Sequence, residues 1–260
     1  MTNKEYHNTQ AIGKSMLFNM AKSPAYYKYK LENKEETDAM TFGSAFHKLV
    51  LEPNEFNEEY AVLSKIDKRT TIGKAQFAQF ELDNLNKTII SYADFNIMQE
   101  MNYSLMQNKF AMELINNSKH ETSHFWIDSK TGLNCKCRPD MDHLKSKLII
   151  DLKTCNNADT DTFSRDCLKY GYHLQAAHYL DSFKNLSYQF MFLCIEKKPP
   201  YSINILIADE EFIAQGKILQ EKLLKELKYC IDNNVFYGYN GKNNSPNTLS
   251  LPYWGIDEYE

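Results

Sequence analysis

The stretch KLIIDLKT, Lys147 to Thr154, with KCRPDMDHLKS before it, limits the possible folds more than any other part of the chain. Leu148, Ile149, Ile150 and Leu152 read as a β-strand, and side chains alternate across a strand with period two. Asp151 and Lys153 therefore share one face, while Leu148, Ile150 and Leu152 share the other. If NCKCRPDMDHL is the preceding strand and LKSK the turn, the pair is a hairpin that brings Asp140 to roughly 5 Å from its neighbour. Two carboxylates that close repel one another unless a cation lies between them. The same pattern also suits a solvated sheet face, where a lysine beside two aspartates is ordinary.

The surrounding periodicity gives helices first, then a sheet, then helices. Ser23 is placed to cap a helix with Pro24 at its first position. FGSAFHKLVLEP reads as a short helix opened near Ser44 and stopped before Pro53, with Phe46, Leu49 and Val50 at core spacing and His47 off that stripe. A basic, turn-rich stretch, KIDKRTTIGK, leads into a mostly helical run from Ala75 to Asn117. From His120 the period changes. HETSHFWID, NCKCRPDMDHL, KLIIDLKT, LSYQFMFLCIEK and YSINILIA are five candidate strands, the first two joined by SKTG. Between the third and fourth, Leu168, Tyr172, Gln175 and Tyr179 step along one helical stripe. The result is a β-β-β-α-β-β plan, hence an α/β core with a mixed sheet. Phe212, Leu219, Leu223, Leu227 and Cys230 line a closing amphipathic helix, followed by an aromatic, loop-rich tail.

Composition enters by exclusion. With 260 residues and 43% hydrophobic content, the chain can bury a substantial core, and a single domain is expected. Its divisions are a mainly helical part over 1–119, a sheet core over 120–208, and a helix and tail over 209–260. The polar start MTNKEYHNTQ and the lack of a long apolar run point to a cytoplasmic chain with no membrane partner. Six cysteines without a C-x-x-C pair read as reduced structural thiols. A net charge of −4 disfavours indiscriminate coating of nucleic acid but allows a local basic track.

GSAFHKLVLEP, ETSHFWIDSKTGLNCKCRPDMD, IIDLKT and QAAHYLD, in that order, resemble the exonuclease VIII (RecE-type) branch of the PD-(D/E)XK nuclease superfamily. The resemblance covers about Tyr6 to Trp254. It implies a restriction-endonuclease-like core, a central mixed sheet flanked by helices with a helical N-terminal elaboration. It also implies functional roles for His47, Asp140, Asp151, Lys153, Gln175 and Tyr179.

The chemistry fits that set. Asp140 and Asp151 are hard oxygen ligands for Mg²⁺ or Mn²⁺, and such an ion would relieve their repulsion. Lys153 can orient water or stabilise charge on phosphorus, and the backbone carbonyl of Leu152 can add an oxygen to the metal. A neutral His47 imidazole suits Mn²⁺, although a lone helix histidine is more often a packing or surface residue. Glu121 is a candidate extra acid or a solvated strand end, and Asp142 shares parity with Asp140. Gln175 and Tyr179, one turn apart, can meet one phosphate or simply pack on the sheet. Lys65, Lys68, Arg69 and Lys74 form a segment able to grip phosphates, or a solvated loop.

The expected activity is a metal-dependent exonuclease acting on double-stranded DNA. By resemblance it runs 5′ to 3′, works at DNA ends in a homo-oligomeric ring, and supplies single strands to a RecT-like annealing protein. An endonuclease or host-defence nuclease on the same core is the alternative enzyme, and a catalytically silent DNA-binding module the alternative class. A Cas4-like form is disfavoured because the first cysteine is Cys135.

Overall fold

The structure is a computed structural model, which describes residues 1–33, 35–183 and 187–251. Trp254 and the rest of the aromatic tail after residue 251 lie outside the described residues. The N-terminal part contains α1 (Asn3–Asn8), α2 (Lys14–Lys22), α3 (Pro24–Glu32), α4 (Asp38–Leu51) and α5 (Phe56–Glu59). Strand β1 (Tyr60–Leu63), α6 (Thr71–Asp83), β2 (Thr88–Ser91), α7 (Tyr92–Gln107) and α8 (Lys109–Asn116) follow. Ser23 caps α3 as its sequence suggests, its hydroxyl accepting from Tyr26 N at 3.1 Å. The α4 helix is longer than its apolar stripe indicates. Thr37 caps it and opens it well before Ser44, because an N-cap hydroxyl sets a helix start independently of where burial begins. The run from Ala75 to Asn117 is also interrupted, since β2 pairs in parallel with β1. That pairing is non-local, so neither four-residue strand advertises itself.

The second part contains β3 (Lys119–His120), β4 (His124–Ile127), β5 (Asn134–Cys137), β6 (Met141–His143) and β7 (Leu148–Cys155). It continues with α9 (Thr160–Tyr170), α10 (Tyr172–Asp181), β8 (Gln189–Glu196), β9 (Ile203–Ile207) and α11 (Glu210–Asn233). The central sheet runs β3-β6-β7-β8-β9, with β7 and β8 parallel and its other pairs antiparallel. The α9–α10 pair supplies the crossover that parallel neighbours require. Strands β4 and β5 form a separate ribbon.

Two expected strands therefore each divide. HETSHFWID breaks at Glu121, whose φ of 51° cannot continue a strand. NCKCRPDMDHL breaks at Arg138–Asp140, where the chain leaves the ribbon for the central sheet. The expected crossover helix divides too. Gly171 adopts φ 65°, and a Cβ there would lie 2.6 Å from the Phe18 ring. Before that break, on α9, Leu168 leaves the stripe and is 74% exposed, whereas beyond it Tyr172, Gln175 and Tyr179 continue together on α10.

Both faces of β7 are buried, as expected of a strand with a parallel neighbour and helices on either side. Leu148, Ile150 and Leu152 pack with Phe46 of α4 and Met98, Met101 and Leu105 of α7. Ile149 and Cys155 pack on the opposite side with Phe163, Ala176, Phe190 and Phe192. Asp151 belongs to that second side and is 1% exposed, which removes the solvated-face alternative. All six cysteines are free and buried. No described helix is long and apolar enough to cross a membrane.

Candidate active site

Asp140 stands immediately before β6. Because Met141 faces Ile150, extending the register sets Asp140 beside Asp151 on the next strand. Its Oδ2 accepts a hydrogen bond from Leu152 N at 2.7 Å. From α4, His47 brings Nδ1 to 3.6 Å from Asp140 Oδ1 and hydrogen-bonds to the backbone of Leu152. Glu121 completes the group from the β3–β4 junction. Its N–H donates to the Asp140 carbonyl at 3.1 Å, and its Oε2 accepts from Arg138 Nε at 2.8 Å. One ligand atom from each of His47, Glu121 and Asp140 lies within 4.8 Å of the other two.

The electrostatics of this cluster follow from burial. Desolvation, then the nearby Asp151 charge, holds the Asp140 carboxyl well above the usual range, against the pull of Lys153 and the Leu152 N–H. Burial and Asp140 push Glu121 up to about 7, opposed by His47 and Arg138. Burial lowers His47 and favours neutral imidazole. Glu121 also occupies the left-handed region that non-glycine residues rarely adopt, and residues held there concentrate at functional sites.

Asp151 is in a different position. Its carboxylate forms an ion pair with Lys153 and accepts a hydrogen bond from Gln175 Nε2. Burial alone lowers an ammonium, but Asp151, Tyr172 and Asp140 outweigh it and hold Lys153 above its ordinary value. The Lys153 ammonium lies 4.6 Å from the Tyr172 ring centre. Tyr179, one turn beyond Gln175, meets the Phe190 ring edge-on, and burial and Asp151 keep its phenol protonated.

The sequence candidates thus separate into three groups. His47, Asp140, Leu152, Asp151, Lys153 and Gln175 converge, Glu121 joins them, and Tyr179 flanks them. Asp142 does not join the cluster. It pairs in register with Ile149 and is hydrogen-bonded by Tyr188, with His124 nearby. Lys65, Lys68, Arg69 and Lys74 lie on the β1–α6 connection and the first turn of α6. There Arg69 is clamped by Asp67, with Nε–Oδ1 2.9 Å and Nη2–Oδ2 3.2 Å, and Lys68 covers the Phe77 ring. Lys14 at the start of α2 is an addition the sequence did not signal. Its Nζ donates to the Tyr170 carbonyl at 2.7 Å and lies 5.4 Å from the Tyr172 ring centre. Burial and the Lys153 charge lower it to about 7.

An imidazole and two carboxylates, with no lysine or arginine among the described residues in an ion pair with Asp140, suit a divalent cation. Burial and mutual repulsion raise both acids, and a divalent cation held among them would offset that repulsion. The oxygens suit Mg²⁺ or Mn²⁺, and the imidazole suits the softer of the two.

The family described as "PDDEXK-like domain of unknown function (DUF3799)" matches residues 13–246. Among solved structures, the fold is similar to one named "Putative exonuclease" from Eubacterium rectale. That match has a TM-score of 0.65 and 14% identity, and covers 98% of this chain and 99% of the other. A structure named "phage related exonuclease" from Haemophilus somnus 129PT matches at TM-score 0.34 and 14% identity, over 90% of this chain and 100% of the other, too low to carry an argument. No curated protein matches the chain.

Proposed function

We propose, since the chain belongs to this PDDEXK-like family, that it is a nuclease that hydrolyses phosphodiester bonds with Mg²⁺ or Mn²⁺ bound at His47, Glu121 and Asp140. One observation carries the reading. The half-buried His47 imidazole and the Glu121 and Asp140 carboxyl groups form one cluster, which is joined through the Leu152 N–H to the buried Asp151 carboxylate and its Lys153 partner. A divalent ion there would supply Lewis-acid charge to a phosphoryl oxygen and acidify water.

The chain's own residues do the rest. Gln175 fixes the orientation of the Asp151 carboxylate. Asp151 in turn holds Lys153, whose ammonium orients the attacking water or offsets negative charge developing on phosphorus. Leu152 couples the two halves, its N–H bonded to Asp140 and its backbone to His47. Tyr179 stays a neutral phenol, able to donate a hydrogen bond to a phosphate.

The finer reading is an exonuclease of RecE type acting on double-stranded DNA ends, 5′ to 3′, as a homo-oligomeric ring that supplies a single-strand annealing protein. It is supported by the ordered motifs around His47, Asp140, Asp151 and Gln175. The test is purified protein with Mg²⁺ or Mn²⁺ on end-labelled linear duplex and on covalently closed circles. Digestion of linear DNA alone, with loss of the 5′ label first, is expected. Cut circles would make it an endonuclease, and no cutting with either metal would overturn the reading.

A further inference from the structure

From Gly13 to Leu31 the chain carries four lysines and no acidic residue, although its net charge is −4. These residues form α2 and α3, and their cations alternate in space with aromatic rings. The series begins at the active site. The Lys153 ammonium lies 4.6 Å and that of Lys14 5.4 Å from the Tyr172 ring centre. Lys14 is also 4.9 Å from the Phe18 ring, and Lys22 is 3.9 Å from the Tyr26 ring. Lys14, Phe18 and Lys22 are spaced by four, so they share one face of α2. Phe18, Asn19, Lys22 and Tyr26 line a surface cavity of about 430 Å³. Tyr29 follows on α3 and is 50% exposed. The nearby Lys30 is held by Glu35 at 2.7 Å, so the positive part of the series ends near Tyr26.

We propose that the α2–α3 face is a binding track for single-stranded DNA, leading from Lys153 past Tyr172, Lys14 and Phe18 to Lys22 and Tyr26. Cations along such a track meet backbone phosphates, and intervening rings stack with bases whatever their sequence, which is how single strands are held without base readout. A duplex keeps its bases stacked inward and has no use for the rings. The exposed Lys22, which covers Tyr26, can swing to a phosphate and free that ring face for a base. The inference rests on the nuclease reading only for the direction of the track, since a strand in the active site would lie against Tyr172.

The test measures binding without cleavage. A fluorescent single-stranded oligonucleotide and a blunt duplex are titrated with the full chain in chelator. The Lys22→Gln/Tyr26→Leu variant is compared with a Lys217→Gln/Lys222→Gln control on the exposed side of α11. The track predicts that the first variant binds the single strand about tenfold more weakly and with a shallower salt slope, while the control barely changes. Photocrosslinking of unaltered protein to an iodouracil-substituted single strand should label α2 or α3, which guards against a variant that fails to fold. Unchanged single-strand affinity in the folded variant, equal loss on the duplex, or crosslinks confined to other elements would overturn the track. Cleavage in Mg²⁺ separates the two readings. A chain that cuts DNA but binds through another face loses only the track, whereas one that binds single strands here and cuts nothing loses only the nuclease.

Discussion

Asp140 and Asp151 are neighbouring buried carboxylates with opposite electrostatic circumstances. Asp151 carries its own counter-charge in Lys153 and its own hydrogen-bond donor in Gln175. Asp140 is given a backbone N–H, a neutral imidazole and a second carboxyl group, and among the described residues no lysine or arginine forms an ion pair with it, although the Lys153 charge acts on it from Asp151's side. The difference separates two tasks that look alike in the sequence. On the proposed reading, the carboxylate paired with lysine positions that lysine, while the one beside an imidazole and a second carboxyl group would hold a divalent ion.

The largest expected effect is on turnover and should be shared by both aspartates. Asp140→Asn, Asp151→Asn and Lys153→Ala should each lower hydrolysis by about a hundredfold or more, as losses of transition-state electrostatics commonly do. Near-native activity in any one of them, measured on linear duplex, would dissolve the assignment of that residue.

Stability should then set the two aspartates apart. Lys153→Ala strands a buried carboxylate and should cost about 3–5 kcal/mol in denaturant unfolding. Asp140→Asn removes an unbalanced buried acid and keeps an acceptor for Leu152, so the metal-free protein should be unchanged or more stable. Equal destabilisation by both would erase the distinction.

The pH dependence of metal-free stability follows from Asp140, held well above its ordinary value, and from Glu121, raised to about 7 from an ordinary value of 4.5. Between the ordinary and raised values of each group the folded state keeps a proton that the unfolded state has released. Stability therefore falls as pH rises through that window, by about 1–3 kcal/mol for Glu121. Glu121→Gln should flatten its part of the fall, and urea midpoints at pH 5 and pH 7.5 measure it.

The smallest effect concerns the β1–α6 segment. Neutralising Lys68 and Arg69 should leave the salt dependence of DNA binding nearly unchanged, because Asp67 already balances Arg69. A clearly flattened slope would restore that segment as a phosphate grip.

What could be read from sequence depended on how local the cause was. The shared side of Asp151 and Lys153 follows from strand parity alone, and the Ser23 cap and the stop before Pro53 are equally local. The position of Asp140 needed only one hairpin. Glu121 could be suspected from its charged setting, but its left-handed backbone depends on the chain passing from β3 into a separate ribbon. Gly171 sat inside a continuous helical stripe and ends α9 in the left-handed conformation, and the close approach of Phe18 from α2 leaves no room there for a side chain. Lys14 carried no signal at all, since its place beside Tyr172 is set by the packing of α2 on α10. The basic run near Lys68 stands out by its charge pattern, but the pairing of Arg69 with Asp67 is visible only in the structure.

The most direct test of the central claim is calorimetric titration of Mn²⁺ into the full chain at neutral pH, without DNA. The account predicts binding that weakens at least tenfold in Asp140→Asn and in His47→Ala and persists in Lys153→Ala, because the ion belongs to the unbalanced carboxylate. Mn²⁺ binding that is undiminished without Asp140, or lost as fully without Lys153 as without Asp140, would contradict it.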